Sequence, residues 1–378
     1  MFQYERKIEK NLLESIQSNK ALILFGARRT GKTILIKNLV KKLNENYLFL
    51  NGEDITTSEL LERRSVGSYQ QLLGDTKILI IDEAQKIPDI SLKVKLMLDE
   101  IDGLKIILTG SSALDLGNQF GEPLVGRKYD FQLYPLSELE FSQNESNIAK
   151  LENMRSRLIF GNYPELTKLK NRKEKIQYLN ELKNGYLLKD ILTIDGLKNS
   201  NKISNLLRLI SYQIGSEVNY SELGTQLSLS KNTVEKYMEL LSKVFVLYKL
   251  EGFSKNLRKE VSKSSKWYFH DNGIRNSLIN NFNPIDQRDD VGKLWENYMI
   301  SERIKFNQLQ ENYAELYFWR TYDNQEIDLI EQVGNNLNGF EFKWTGKNSK
   351  PPAAWAKAYP SAGYSVIDKS NFFQFLGL

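Results

Sequence analysis

The chain has 378 residues, 41% of them apolar, and its 52 Lys and Arg against 47 Asp and Glu leave a formal net charge of +5. At roughly 150 residues per domain this is two to three domains, each with enough apolar sequence to bury a core, which excludes a peptide or a disordered chain. The absence of cysteine excludes disulfides, thiolate zinc sites, iron–sulfur clusters and a cysteine nucleophile, and a single histidine, His270, excludes a histidine-based metal centre. Any bound metal is then expected to be a hard cation held by carboxylates, phosphates and water. The mild positive balance is compatible with polyanionic partners without requiring them. The first residues carry no apolar stretch of signal type and no run of 18 apolar residues occurs, so a cytoplasmic protein without a membrane partner is expected.

From about residue 20 to 135, short β-rich runs alternate with helical sequence: ALILF (21–25), NYLFL (46–50), KILIID (77–82), KIILT (105–109) and KYDFQL (128–133). Continuous apolar runs alternating with helices predict an α/β fold around a parallel sheet covered on both faces. Residues 1–145 are expected to form this first domain, and charged, helix-forming sequence makes 146–205 a helical lid or connector. Over 206–270, NYSELGTQL, a polar turn at Ser228 to Ser230 and KNTVEKYMELLSKV read as a helix-turn-helix, and two β-like segments after it suggest a winged helix. Residues 271–378 combine a helix, two or three adjacent strands within 314–345, and a closing strand near 363–368.

The segment GARRTGKT directly follows ALILF and precedes a helical run. Gly26 and Gly31 let the backbone curl, so that N–H groups of Gly26, Ala27, Arg28, Arg29, Thr30 and Gly31 can converge on phosphate oxygens. Lys32 can then reach the β- and γ-phosphates, and the Thr33 hydroxyl is placed to ligate Mg²⁺. Fifty residues on, a buried strand ends in Asp82 and Glu83, with Asp82 placed to hold Mg²⁺ through water and Glu83 to polarise an attacking water. A further strand ends in Thr109-Gly110-Ser111-Ser112, where Thr109 or Ser111 either contacts the γ-phosphate or serves as a helix cap. Arg127 either neutralises charge on the γ-phosphate, in its own subunit or from a neighbour, or is a surface arginine.

The stretches GARRTGKT, ILIIDEAQ, ILTGSS and GRKYDFQLYPLSELEF, followed by GNYPEL (161–166), YLLKDIL (186–192) and WYFHDNGIRNSL (267–278), resemble prokaryotic ATPases of the AAA+ superfamily whose C-terminal half is a domain of unknown function. The resemblance spans nearly the whole chain and implies ATP binding and hydrolysis.

In the second helix of the helix-turn-helix, Val234, Tyr237, Met238 and Leu241 are expected to be buried, with Lys231, Asn232, Glu235, Lys236 and Glu239 outward. The basic connection 254–266 has five Lys or Arg against one Glu, which suits phosphate contacts with DNA; docking of a protein partner is the other reading. Finally, Glu341 and Lys343 are two apart on a strand and share a face, Asp328 lies thirteen residues earlier, and Glu296 sits on the preceding helix. This D-x12-E-x-K pattern is similar to the PD-(D/E)xK nuclease superfamily, although Glu326-Ile327-Asp328 lacks the proline that commonly precedes the first acid. Glu296, Asp328 and Glu341 are candidate ligands of a second Mg²⁺, with Lys343 stabilising developing charge. Two outputs follow: an ATP-controlled nuclease, or a nucleotide-gated switch with a catalytically inactive C-terminal domain.

Overall fold

The computed structural model describes residues 4–17, 19–111, 122–187, 200–254, 265–346 and 349–378. The chain divides into two compact units, Arg6–Tyr134 with Lys243–Phe245, and Pro135–Ser242 with Val246–Leu378 and the residues before Arg6.

The first unit is built on five strands, β1 Ala21–Phe25, β2 Tyr47–Asn51, β3 Ile78–Asp82, β4 Lys105–Gly110 and β5 Lys128–Gln132, in the order β2-β3-β4-β1-β5. Every pairing is parallel. The apolar runs occupy the middle of the sheet because helices cover both faces, and residues 78–81 are fully buried. A parallel sheet places all its carboxyl ends on one edge, so the loops after β1, β3 and β4 open side by side.

The second unit holds a six-stranded sheet, β6 Leu247–Gly252, β7 Ser265–Phe269, β8 Glu315–Arg320, β9 Glu326–Val333, β10 Asn336–Phe342 and β11 Gly363–Ile367, ordered β11-β10-β9-β8-β6-β7. The expected boundary between 270 and 271 therefore requires correction. The hairpin β6–β7 does not stand apart as a wing: Glu251 and Gly252 pair in parallel with Tyr317 and Phe318, carrying the sheet across that boundary. The long helix Val291–Leu309 packs against β7 and β10, with Leu294 and Trp295 fully buried. The helices Asn147–Phe160 and Arg172–Leu182 of the expected connector belong to this same unit.

Within it, Ser200–Tyr212, Tyr220–Leu227 and Lys231–Lys243 are three helices followed by the β6–β7 hairpin. In the last of them Val234, Tyr237, Met238 and Leu241 are buried, while Lys231, Asn232, Glu235, Lys236 and Glu239 are exposed. Most of the basic connection, 255–264, lies outside the described residues, as do Ser112 and residues 188–192 of YLLKDIL. His270 is buried, and that burial lowers its pKa to about 3, with the Lys305 ammonium adding to the effect, so the imidazole is neutral. Among the described residues no helix is long and apolar enough to cross a membrane.

Candidate nucleotide site and a buried acidic pocket

The loop after β1 is shaped by two glycines. A Cβ on Gly26 would stand 2.3 Å from the Leu133 carbonyl oxygen, and Gly31 has φ +99°, a conformation that L side chains rarely adopt. The Lys32 ammonium, on a residue 5% exposed, donates to the carbonyls of Gly26 at 2.7 Å and Ala27 at 3.2 Å, which holds the charge over the loop. The Thr30 hydroxyl donates to Ala27 O at 2.8 Å and closes the turn.

The strand ends meet this loop. Thr33 Oγ1 donates to Asp82 Oδ2 at 2.8 Å, and Thr109 Oγ1 donates to Asp82 Oδ1. Asp82, 8% exposed, is thus fixed by hydroxyls from the loop and from β4. Glu83 follows in a left-handed conformation, φ +51°, which turns the chain off the sheet, and its N–H donates to Thr109 Oγ1 at 3.2 Å. Gln85 Nε2 donates both to Glu83 Oε2 at 2.7 Å and to Ser111 Oγ at 3.2 Å. Lys32, Thr33, Asp82, Glu83, Thr109 and Ser111 therefore share one edge of the sheet.

The donor set at Thr33 and Asp82 fits Mg²⁺, which takes one or two protein oxygens and completes its octahedron with phosphates and water. Among the described residues no three acidic or histidine side chains are grouped closely enough to hold a metal by themselves. The nucleotide would have to supply the remaining ligands.

Arg127 is not at this site in its own subunit. It precedes β5, which runs parallel to β1 with Lys128 opposite Ala21, and its carbonyl accepts the Ala21 N–H. It therefore sits at the amino end of the sheet, six residue steps along β1 or roughly 20 Å from Gly26. There its Nε donates to Asp99 at 2.7 Å. The arginine that does touch the loop was not foreseen. Arg6 donates from Nη1 to Thr30 O at 2.8 Å and from Nη2 to Tyr134 O at 2.7 Å. In a trans peptide the carbonyl and the following N–H point opposite ways, so this anchor turns the Gly31 N–H away from Arg6. A lone arginine ahead of β1 carries no motif that would reveal it.

The second unit gathers the C-terminal acids, but around a lysine. Lys266, 2% exposed on β7, pairs with Glu326 and lies 4.0 Å from Glu296. Glu296 accepts a 2.6 Å hydrogen bond from the Tyr268 hydroxyl, and Asp328 accepts the Phe342 N–H at 2.8 Å. Lys343 donates to Glu341 at 2.5 Å. Burial raises the carboxyl pKa values of Glu296 and Asp328, Asp328 well above the ordinary range because Glu296 and Glu341 also repel its charge. Burial disfavours the Lys266 ammonium, but Glu296 and Glu326 outweigh it and its pKa stands above the usual lysine value. Two expectations change here. Glu296 and Glu341 lie near Asp328, but the three do not form a ready Mg²⁺ site, because Lys266 stands beside Glu296 and Lys343 is bonded to Glu341; and Lys266, counted with the basic connection, is too buried to contact phosphates.

Three family models match the chain. Residues 18–142 match an AAA domain, 151–285 a domain of unknown function (DUF8612), and 291–375 a domain of unknown function (DUF4143). Similar curated proteins include an uncharacterized protein of Mycobacterium tuberculosis, 23% identical over 91% of this chain and 75% of the relative, and one of Haemophilus influenzae, 24% identical over 83% and 80%. Among solved structures, the Thermotoga maritima RuvB Holliday junction branch migration motor aligns with 65% of this chain and 89% of its own at 16% identity and a TM-score of 0.32. AMPPCP-bound DnaA from Aquifex aeolicus aligns with 62% and 85% at 15% identity and 0.28. The match over residues 18–142 makes the N-terminal unit similar to an AAA domain, and the loop, the strand-end acids and the parallel sheet lie within the matched residues.

Proposed function

We propose that the protein binds and hydrolyses ATP with Mg²⁺ at the loop 26–33, and that the nucleotide state governs the contact of the C-terminal half with DNA. The observation that carries the first part is the contact series Thr33–Asp82–Thr109, which joins the phosphate loop to the ends of β3 and β4. The loop N–H groups and Lys32 take the phosphates, Thr33 and Asp82 hold the metal, and Glu83 orients water for in-line attack. Mg²⁺, when bound, neutralises charge on the phosphate oxygens. Thr109 and Ser111 are placed to respond to loss of the γ-phosphate. Arg127, facing away from its own loop, serves at most the site of a neighbouring subunit.

The DNA reading rests on the three helices followed by a hairpin, the element order of a winged helix although the hairpin is joined to the larger sheet, with Lys231, Asn232 and Lys236 exposed and residues 254–265 of net charge +3 once the buried Lys266 is set aside. Of the two outputs, Lys266 in the acidic pocket favours the switch with a catalytically inactive C-terminal domain. A single incubation reads ATP hydrolysis and the catalytic state of the C-terminal domain, and retention of labelled duplex DNA with and without ATP reads the nucleotide-governed contact, equal retention in both overturning it. Purified protein with Mg²⁺–ATP and supercoiled plasmid is expected to release phosphate and leave the plasmid intact, and EDTA is expected to stop the release. No phosphate release would defeat the ATPase reading; plasmid nicking that Asp328→Ala abolishes would defeat the inactive-domain reading.

A further inference from the structure

Gln85 lies two residues beyond Glu83, in the short turn Ala84–Lys86, and is 9% exposed. One of its amide hydrogens is taken by Glu83 and the other by Ser111. The first contact leaves Glu83 one carboxylate oxygen not engaged by the amide, and the second ties that carboxylate to the hydroxyl just beyond β4. The third polar position of the amide, Oε1, is buried and has no hydrogen-bond partner among the described residues. A buried acceptor left unpaired loses its hydration without compensation, so such atoms mark places where water or ligand completes the hydrogen bonding. Here the unpaired acceptor belongs to the amide that holds Glu83, beside the place where a water must be activated.

We infer that Gln85 is a positioning residue for ATP hydrolysis: its amide N–H groups hold the Glu83 carboxylate and couple it to Ser111, and its Oε1 accepts a hydrogen bond from the water that Glu83 activates. The inference rests on the reading of the loop site as hydrolytic. Holding the base in one orientation lowers the entropy lost on reaching the transition state, and it acts on the chemical step without touching the bound phosphates. Ser111 then has a route to Glu83: a hydroxyl that turns toward a phosphate releases one amide hydrogen and with it the fixed orientation of the carboxylate.

The test is single-turnover and steady-state hydrolysis of Mg²⁺–ATP by the full chain carrying Gln85→Leu, in wild-type and Glu83→Gln backgrounds, with nucleotide affinity measured on each protein. In the wild-type background kcat is expected to fall about 10- to 100-fold while KM and affinity stay within about 3-fold. In the Glu83→Gln background the same change is expected to have a much smaller effect, because the hold on the carboxylate acts through Glu83 and only the Oε1 contact to water remains to be lost. Ser111→Ala, which keeps the amide and removes only its second acceptor, is expected to lower kcat about 2- to 5-fold with KM unchanged, and it supplies the readout where Gln85→Leu does not fold. Unchanged or increased kcat in Gln85→Leu, a full-sized loss in the Glu83→Gln background, or an unaltered kcat in Ser111→Ala would each overturn the inference while leaving the ATPase reading intact. Absence of turnover in the wild type would overturn both.

Discussion

Glu83→Gln is expected to bind Mg²⁺–ATP as the wild type does and to turn it over about 100- to 10,000-fold more slowly, the span normally lost with a general base. The substitution keeps the side-chain shape and removes only the basicity. Its neighbours are undisturbed, because Asp82 is held by Thr33 and Thr109 independently of Glu83. Rapid-quench measurement of phosphate release beside an equilibrium binding titration separates the two effects. Equal losses in affinity and turnover would mean that Glu83 supports the loop and not the water.

The second large effect is one of stability and lies in the second unit. Arg157, 5% exposed, is held in a fork by Glu138, with Nε and Nη2 donating at 2.9 and 3.0 Å, and by Glu145, reached by Nη1 at 2.9 Å. Glu138 is 1% exposed and also accepts from the Tyr298 hydroxyl, while its N–H donates to Glu302 at 2.7 Å. Asn162 extends the network, donating to Glu302 at 3.0 Å and passing its own N–H to Asp271 at 2.7 Å. Removing the guanidinium strands the Glu138 carboxylate in the interior, so Arg157→Ala is expected to destabilise the fold by about 3–5 kcal/mol. Chemical denaturation measures this, and Glu138→Gln in the same chain is expected to restore part of the loss. A change below about 1 kcal/mol would mean that water replaces the arginine.

That network explains why YPLSELEF, GNYPEL and HDNGIRNSL read as distinctive stretches. Glu138, Asn162 and Asp271 come one from each, and they meet in one buried set of hydrogen bonds. The stretches were visible in the sequence, but their meeting was not, because contacts over more than a hundred residues leave no local pattern.

The phosphate loop and the parallel sheet were legible for the opposite reason. Strands buried on both faces are continuous apolar runs, the loop spacing is contiguous, and the acids fall where β3 ends. Arg127 shows how far such reading carries. A residue before a parallel strand lies at the opposite edge from a loop that follows one, so strand direction alone places Arg127 away from the loop after β1. Lys266 was harder. Its strand reads locally as the second half of a hairpin, and only the pairing of Glu251 with Tyr317 carries that hairpin to the acids of β9 and β10. Gln85 was in view inside ILIIDEAQ, yet its role depends on side-chain contacts to Glu83 and to Ser111 on another segment, which spacing does not encode.

The loop 26–33 is expected to grip a triphosphate through Lys32, and isothermal titration of the wild type and Lys32→Ala with Mg²⁺–ATP measures that grip. Loss of a charge-assisted contact to phosphate of about 1.5–3 kcal/mol predicts saturable one-site binding by the wild type and affinity about 10- to 100-fold weaker in the variant. Equal affinity in both proteins, or no binding by either, would contradict it.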